Sequence, residues 1–225
     1  MIFFFSDNHY NTHAGRNIFQ NFPEDLKKRT AFFEDDFSVL EDGSWEKKCT
    51  LLVLHLIGGT CSLPHPGAGA EKAVKNYCEQ GGNMLLLHGS SAAFWQWQWW
   101  RSITGIRWVR PNDPDQVDRS THPQGICSVK VCKCRHELSE RLIPFELPED
   151  EVYTSLEQTR PAMFLMEGWV NGENSPQCSE SHTPWGGKVI NFIPGHKEIC
   201  VNTPELSANI EILLRYLLKD VPQIL

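Results

Sequence analysis

Residues 84–87, Met-Leu-Leu-Leu, run directly into His88 and then Gly89-Ser90-Ser91. An unbroken apolar run of this length reads as a strand buried on both faces, which needs helices on both sides of a parallel sheet. Gly81-Gly82 turns the chain into the strand, and Gly89-Ser90-Ser91 turns it out. Residues 92–95, Ala-Ala-Phe-Trp, read as the first turns of a helix. A strand, a sharp turn and a helix put the turn residue at the carboxyl edge of a sheet, where open α/β folds bind ligands. That residue is His88. Nucleophile-elbow enzymes hold a serine or cysteine in this place.

The rest of the chain supports the same architecture. Residues 2–5, 37–40 and 50–57 read as strands, the last closed by Gly58-Gly59. Residues 14–22 have helical spacing (Ile18, Phe19, Phe22) and stop at Pro23. Residues 70–79 form an amphipathic pattern ending at Gly81-Gly82, in the manner of a glycine C-cap. Residues 125–134 alternate as a half-exposed strand, and 162–166 and 188–193 read as further strands. The last of these ends in Pro194-Gly195-His196, and residues 206–218 make a final amphipathic helix. Strands alternating with helices imply parallel βαβ units. With 225 residues, no linker and no repeat, residues 1–225 read as a single α/β domain.

Composition excludes several functions. The formal charge is −7 and both signs are mixed along the chain, which disfavours nucleic acid as a partner. No run reaches the roughly 18 apolar residues of a membrane span. Residues 2–5 lack a basic flank and end at Ser6-Asp7, so they read as a strand and not as a signal peptide. The expected compartment is the cytoplasm. The eight cysteines are dispersed without a CxxC pair and read as reduced thiols. Aromatics crowd residues 94–108. They read mainly as core, with Trp97 the ring best placed to face a ligand. The tryptophan excess and the apolar last helix would suit a homodimer.

His88 and His196 each follow an apolar strand. If the two strands are parallel neighbours, both imidazoles emerge on one edge. Glu151 lies between them in an acidic stretch, with Asp150 and Glu149 as alternatives and Tyr153 two residues on. Two histidines and a carboxylate can do acid–base work near neutral pH or ligate a divalent metal. His9 and His13, in the loop after the first strand, are candidate substrate contacts or further ligands. His55 sits inside a strand and reads as structural. A cysteine-dependent amidotransferase fails because the elbow holds His88 and no cysteine is near it. A serine hydrolase fails because His-Gly-Ser-Ser-Ala is not Gly-x-Ser-x-Gly. Gly67-Ala-Gly69-Ala-Glu lacks the third glycine of a dinucleotide loop.

Several of these pieces, in this order, resemble the ThuA-like (trehalose utilisation) domain family. They are Gly81-Gly82-Asn-Met-Leu-Leu-Leu-His88, residues 100–105, Thr121-His122-Pro123, residues 136–145, Glu149-Asp-Glu151-Val-Tyr153 and Trp185-Gly-Gly-Lys-Val-Ile-Asn-Phe-Ile-Pro-Gly-His196. The match spans roughly residues 50–218 and is weaker over the first 45. At 136–137 the chain reads His-Glu where the family reads His-Pro, so His136 is not carried over. The resemblance implies a flavodoxin-like three-layer α/β/α sandwich with a mostly parallel sheet, of the class I glutamine amidotransferase-like kind. It implies that His88, Glu151 and His196 line one pocket. It also implies carbohydrate metabolism, with a small-molecule sugar as partner. The expectation is an enzyme acting on trehalose or a related sugar, with a divalent metal left open. The alternative is a non-catalytic sugar-binding module.

Overall fold

In the computed structural model, which describes residues 1–58 and 66–220, the apolar runs lie side by side in one sheet. Gly59 and Cys61 lie outside the described residues. In chain order the strands are β1 (Ile2–Ser6), β2 (Thr30–Glu34), β3 (Leu51–His55), β4 (Met84–Leu87), β5 (Ile106–Arg107), β6 (Gln124–Val131), β7 (Phe145–Glu151), β8 (Glu157–Gln158), β9 (Ala162–Val170), β10 (Glu173–His182) and β11 (Lys188–Phe192). The large sheet has the order β2-β1-β3-β4-β11-β10-β9-β6-β7. Strands β2, β1, β3, β4 and β11 run parallel, and β10, β9, β6 and β7 extend the sheet antiparallel.

The side-chain period of two splits each central strand between two cores. Ile2, Phe4, Leu51, Val53, Leu85, Leu87, Ile190 and Phe192 face one side. There the helices Ala14–Gln20 and Pro204–Leu218 cover them with Ile18, Leu206, Ile210, Leu213 and Leu214. Phe3, Phe5, Leu52, Leu54, Met84 and Leu86 face the other, under the helix Ala68–Glu79 and a tryptophan-rich segment. The molecule is thus a three-layer α/β/α sandwich. The apolar face of the last helix is spent on this core.

Two readings change. Residues 37–40 do not form the second strand. Asp36 Oδ1 accepts from Ser38 N (3.0 Å) and Ser38 Oγ (2.6 Å), an Asx turn that starts the helix Ser38–Asp42. The second strand is Thr30–Glu34, whose half-buried aromatic residues pair along β1. Residues 92–95 do not start a helix either. A 3-10 turn spans His88–Ala92, and the α-helix begins only at Gln98–Ile103.

Ser90 shows why the turn after β4 is tight. Its Oγ accepts from Leu56 N (2.9 Å), donates to Leu87 O (2.6 Å) and lies 2.9 Å from Leu54 O. This fully buried hydroxyl is a clamp between the ends of β3 and β4, not a nucleophile. Ser90→Ala leaves a buried backbone N–H without a partner, which costs about 1–3 kcal/mol. A lowered urea midpoint with an unchanged m-value is the expected result. An unchanged midpoint would show that the clamp is redundant.

Candidate functional site

The parallel strands β1, β3, β4 and β11 end on one edge, and each delivers a histidine. His55 is the last residue of β3, in register with Ser6 of β1. His9 opens the 3-10 turn His9–Asn11 after β1, His88 follows β4, and His196 follows β11. The side chains are 0–7 % exposed. The His9 ring stacks with His55 at 5.3 Å (13° between planes) and with His196 at 5.5 Å. His88 lies 4.8 Å from His196 and 6.1 Å from His9.

His88 has φ +50°, in the left-handed region that favours glycine. Such strain costs about 1–3 kcal/mol and concentrates at working sites. Here it turns the ring back over the sheet edge. Gly89 next to it lets Ile57 and Tyr153 pack close to the backbone. A Cβ there would lie 2.8 Å from Ile57 Cδ1 and 3.2 Å from the Tyr153 hydroxyl.

Hydrogen bonds set the tautomers. Asp7 accepts from Ile57 N and Gly58 N (both 3.0 Å) through Oδ2, which pins its carboxylate. Asp7 Oδ1 is 2.7 Å from His9 Nδ1, so Nδ1 carries a proton and donates it to the carboxylate. His9 Nε2 is buried and has no hydrogen-bond partner. His88 Nδ1 donates to Ile193 O (3.0 Å), since a carbonyl only accepts. Its Nε2 lone pair therefore faces both His196 Nδ1 and the Tyr153 hydroxyl, each at 3.1 Å. Asp150 holds the backbone that carries the third ring, accepting from Gly195 N (2.8 Å) and His196 N (3.1 Å). One ring nitrogen from each of His9, His88 and His196 lies within 4.8 Å of the others.

Burial governs the charges. It lowers His88 well below the ordinary histidine value, and the neighbouring imidazoles add to the effect. His55 is pushed down to about 3 by burial and then by His9. His196 is lowered by burial, against the opposing pull of Glu151. Burial would raise Asp7, but the His9 hydrogen bond and charge and the Gly58 N–H hold it below the ordinary carboxylate value. Asp150 is raised to about 6 by burial, partly offset by its backbone donors. Burial, and then Glu151, raises Tyr153 well above 10, so its hydroxyl stays a donor.

A cleft of about 80 Å³ opens beside the cluster, lined by Tyr10, Ile57, Trp108, Arg110, Glu151 and Tyr153 among others. Glu151 stands at its mouth, 3.7 Å from His122 Nδ1. Tyr153 spans from the cleft to His88. His13 is not in the group: its ring is 42 % exposed and pairs with Glu34 at 2.9 Å. Trp97 is not in it either. Non-helical turns ahead of it rotate its ring into the core, where it stacks on Phe94 at 4.0 Å and is 4 % exposed. Trp108 takes the place by the cleft, 5.7 Å from Tyr153. Asp7, His55, Trp108 and Arg110 were not foreseen. A carboxylate two residues before His9 and a histidine closing an apolar strand were the available signals for the first two.

A larger cavity, about 670 Å³, lies at the opposite edge, beside Asn83, Arg141, His182, Lys188 and Arg215. Lys188 and Arg215 are paired there with Glu180 and with Asp25 and Glu211. The histidine cluster lies beside the smaller cleft, joined to it through Tyr153, and the chemistry is assigned there.

A model of the ThuA family, described as trehalose utilisation, matches residues 6–216. No curated protein matches the chain. A ThuA-like protein of Parabacteroides merdae superposes with a TM-score of 0.73 at 12 % identity, over 100 % of this chain and 91 % of that one. A ThuA-like protein of Bacteroides uniformis gives 0.69 at 15 % identity, over 96 % and 90 %. A cytoplasmic protein of Salmonella typhimurium gives 0.62 at 11 % identity, over 96 % and 98 %. At these identities the likeness is one of fold.

The lowered histidines make the fold acid-sensitive in a defined window. As pH falls through about 6.5, the unfolded chain protonates His55, His88 and His196 while the folded chain resists. Stability is expected to be flat above about pH 7 and to fall below about 6.5, by up to about 1.4 kcal/mol per pH unit per histidine. Asp150 acts in the opposite sense between its unfolded value of 3.8 and about 6, and offsets one of them. Urea titrations from pH 8 to 5 on chelator-dialysed protein measure this. Equal stability at pH 7 and 5 would contradict it.

Proposed function

The chain belongs to the ThuA family, described as trehalose utilisation, and on that premise we propose that it is an enzyme acting on a sugar or sugar derivative. The observation that carries this reading is the buried cluster of four imidazoles, with the His88 tautomer fixed by Ile193 O, beside a cleft with a carboxylate and a phenol. Holding a neutral sugar needs only hydrogen-bonding groups. Burying several titratable rings costs stability, and such clusters concentrate where protons move.

The parts divide as follows. His88 Nε2 presents a lone pair that a substrate hydroxyl can reach in place of Tyr153, and so acts as proton acceptor. Tyr153 stays protonated and donates to a developing oxyanion. Glu151, on the solvent side, is the second acid–base group or orients the substrate. His196 steadies His88 at 3.1 Å. Trp108 offers a flat wall for the apolar face of a sugar ring. At about 80 Å³ the cleft is smaller than the roughly 300–1,000 Å³ of a pocket that engulfs a small molecule. A saccharide therefore reaches the cluster by one end.

Thiol chemistry is not part of this proposal. The described cysteines are unpaired, and burial pushes Cys49 and Cys132 up to about 11 and Cys127 and Cys200 up to about 12. Unpaired thiols and the Salmonella protein called cytoplasmic support the cytoplasm as the compartment. No helix among the described residues is long and apolar enough to cross a membrane.

A thermal-shift screen over mono- and disaccharides and their oxidised derivatives identifies ligands for turnover assays. His88→Ala is expected to lower kcat/KM by about 10²–10⁴-fold with an unchanged circular dichroism spectrum. Glu151→Gln should lower kcat more than it changes ligand affinity. Full turnover by the His88 variant would overturn the assignment. Ligand binding without any product would favour a sugar-binding module.

A further inference from the structure

We infer that His9, His88 and His196 form a three-histidine site for one divalent transition-metal ion of the zinc class, with a further position open toward the cleft. The inference rests on reading this cluster as the working site and changes one role in it: with an ion bound, the His88 Nε2 lone pair serves the ion and Glu151 is the proton acceptor.

A self-contained hydrogen-bond network does not account for the arrangement. Among buried side chains, polar atoms normally find partners. His9 Nε2 has none, and neither ring nitrogen of His55 has one. The single lone pair of His88 Nε2 is met by two groups at 3.1 Å, one of them another imidazole nitrogen. Three imidazoles each bring a ring nitrogen within 4.8 Å of the others, and that of His9 has no partner at all, which a cation between them would satisfy.

The outer partners fit the same reading. Metal-bound histidines usually donate the other ring N–H to a carboxylate or a backbone carbonyl, which fixes the tautomer and raises the basicity of the ligating nitrogen. His9 has Asp7 in that role and His88 has Ile193 O. Asp7 is itself held by two backbone N–H groups, so the orientation is built from the strand ends upward.

The donor set selects the ion. Calcium and magnesium take oxygen ligands, whereas imidazole suits zinc and its first-row neighbours. Three protein ligands with a further position left for water or substrate is the pattern of catalytic zinc. Tyr153 and Glu151 border the cleft on the side from which a sugar oxygen would enter. An ion there would polarise that oxygen and lower the pKa of its proton.

The test uses the full chain, expressed without an affinity tag and stripped with a chelator. Zn²⁺ is titrated in competition with a chromophoric chelator. One ion per chain is expected. His9→Ala and His196→Ala should each bind at least about 100-fold more weakly, and Asp7→Asn about 10–100-fold more weakly. His182→Ala, at the far edge, should match the wild type. Should the histidine variants fail to fold, the Co²⁺ spectrum of the wild type decides. Visible bands of a nitrogen and oxygen ligand set, without a thiolate charge-transfer band, support the site. Substoichiometric Zn²⁺, affinity unchanged by both histidine substitutions, or a thiolate band would overturn it. Stoichiometric zinc without sugar turnover would uphold this site and overturn the enzymatic reading alone. Histidine-dependent turnover by a protein that binds no zinc would do the reverse.

Discussion

Everything at the working edge depends on the parallel register of β1, β3, β4 and β11. These strands are apolar on both faces, so their interiors admit no ionisable group. Polar chemistry is confined to the residues where the strands stop. Because the strands are parallel and in register, the stops coincide, and four imidazoles from distant parts of the chain meet. A one-residue slip of any strand would exchange its two faces and carry its histidine away from the others. The two cores that hold the register therefore also hold the site.

The site is expensive for the fold. It buries three imidazole nitrogens without hydrogen-bond partners, one on His9 and two on His55, keeps His88 in a left-handed conformation and encloses two carboxylates. Each unsatisfied buried polar group costs about 1–3 kcal/mol. Backbone amides carry much of the compensation. Ile57 and Gly58 serve Asp7, and Gly195 and His196 serve Asp150. Ser90 ties β3 to β4 beneath the cluster. These supports look ornamental in sequence, yet they let a strained, desolvated edge persist on a rigid sheet.

The central fold was legible because it is written in apolar runs. Residues 84–87 and the run beginning at Leu51 can hardly be anything but buried strands, and His88 and His196 follow from where such strands end. The edge was harder. Thr30–Glu34 is half buried and has no long apolar run, whereas 37–40 looked stronger until the Asp36 turn is considered. The antiparallel strands β7 and β10 carry acidic and polar residues, and pairing in three dimensions forms them. His55 looked structural because its own strand hides it. Only the neighbouring strand ends show that it joins His9 and His88. Trp97 and Trp108 could not be told apart without the path of the turn between them.

The central claim is that backbone and carboxylate partners aim the histidine lone pairs at one point. Long-range ¹H–¹⁵N correlation of the imidazoles in metal-free protein at pH 7 reads this directly. The prediction is that His88 is neutral with its proton on Nδ1, held by Ile193 O, and that His9 carries a proton on Nδ1, held by Asp7. His88 found as an imidazolium, or either ring found without a proton on Nδ1, would contradict it.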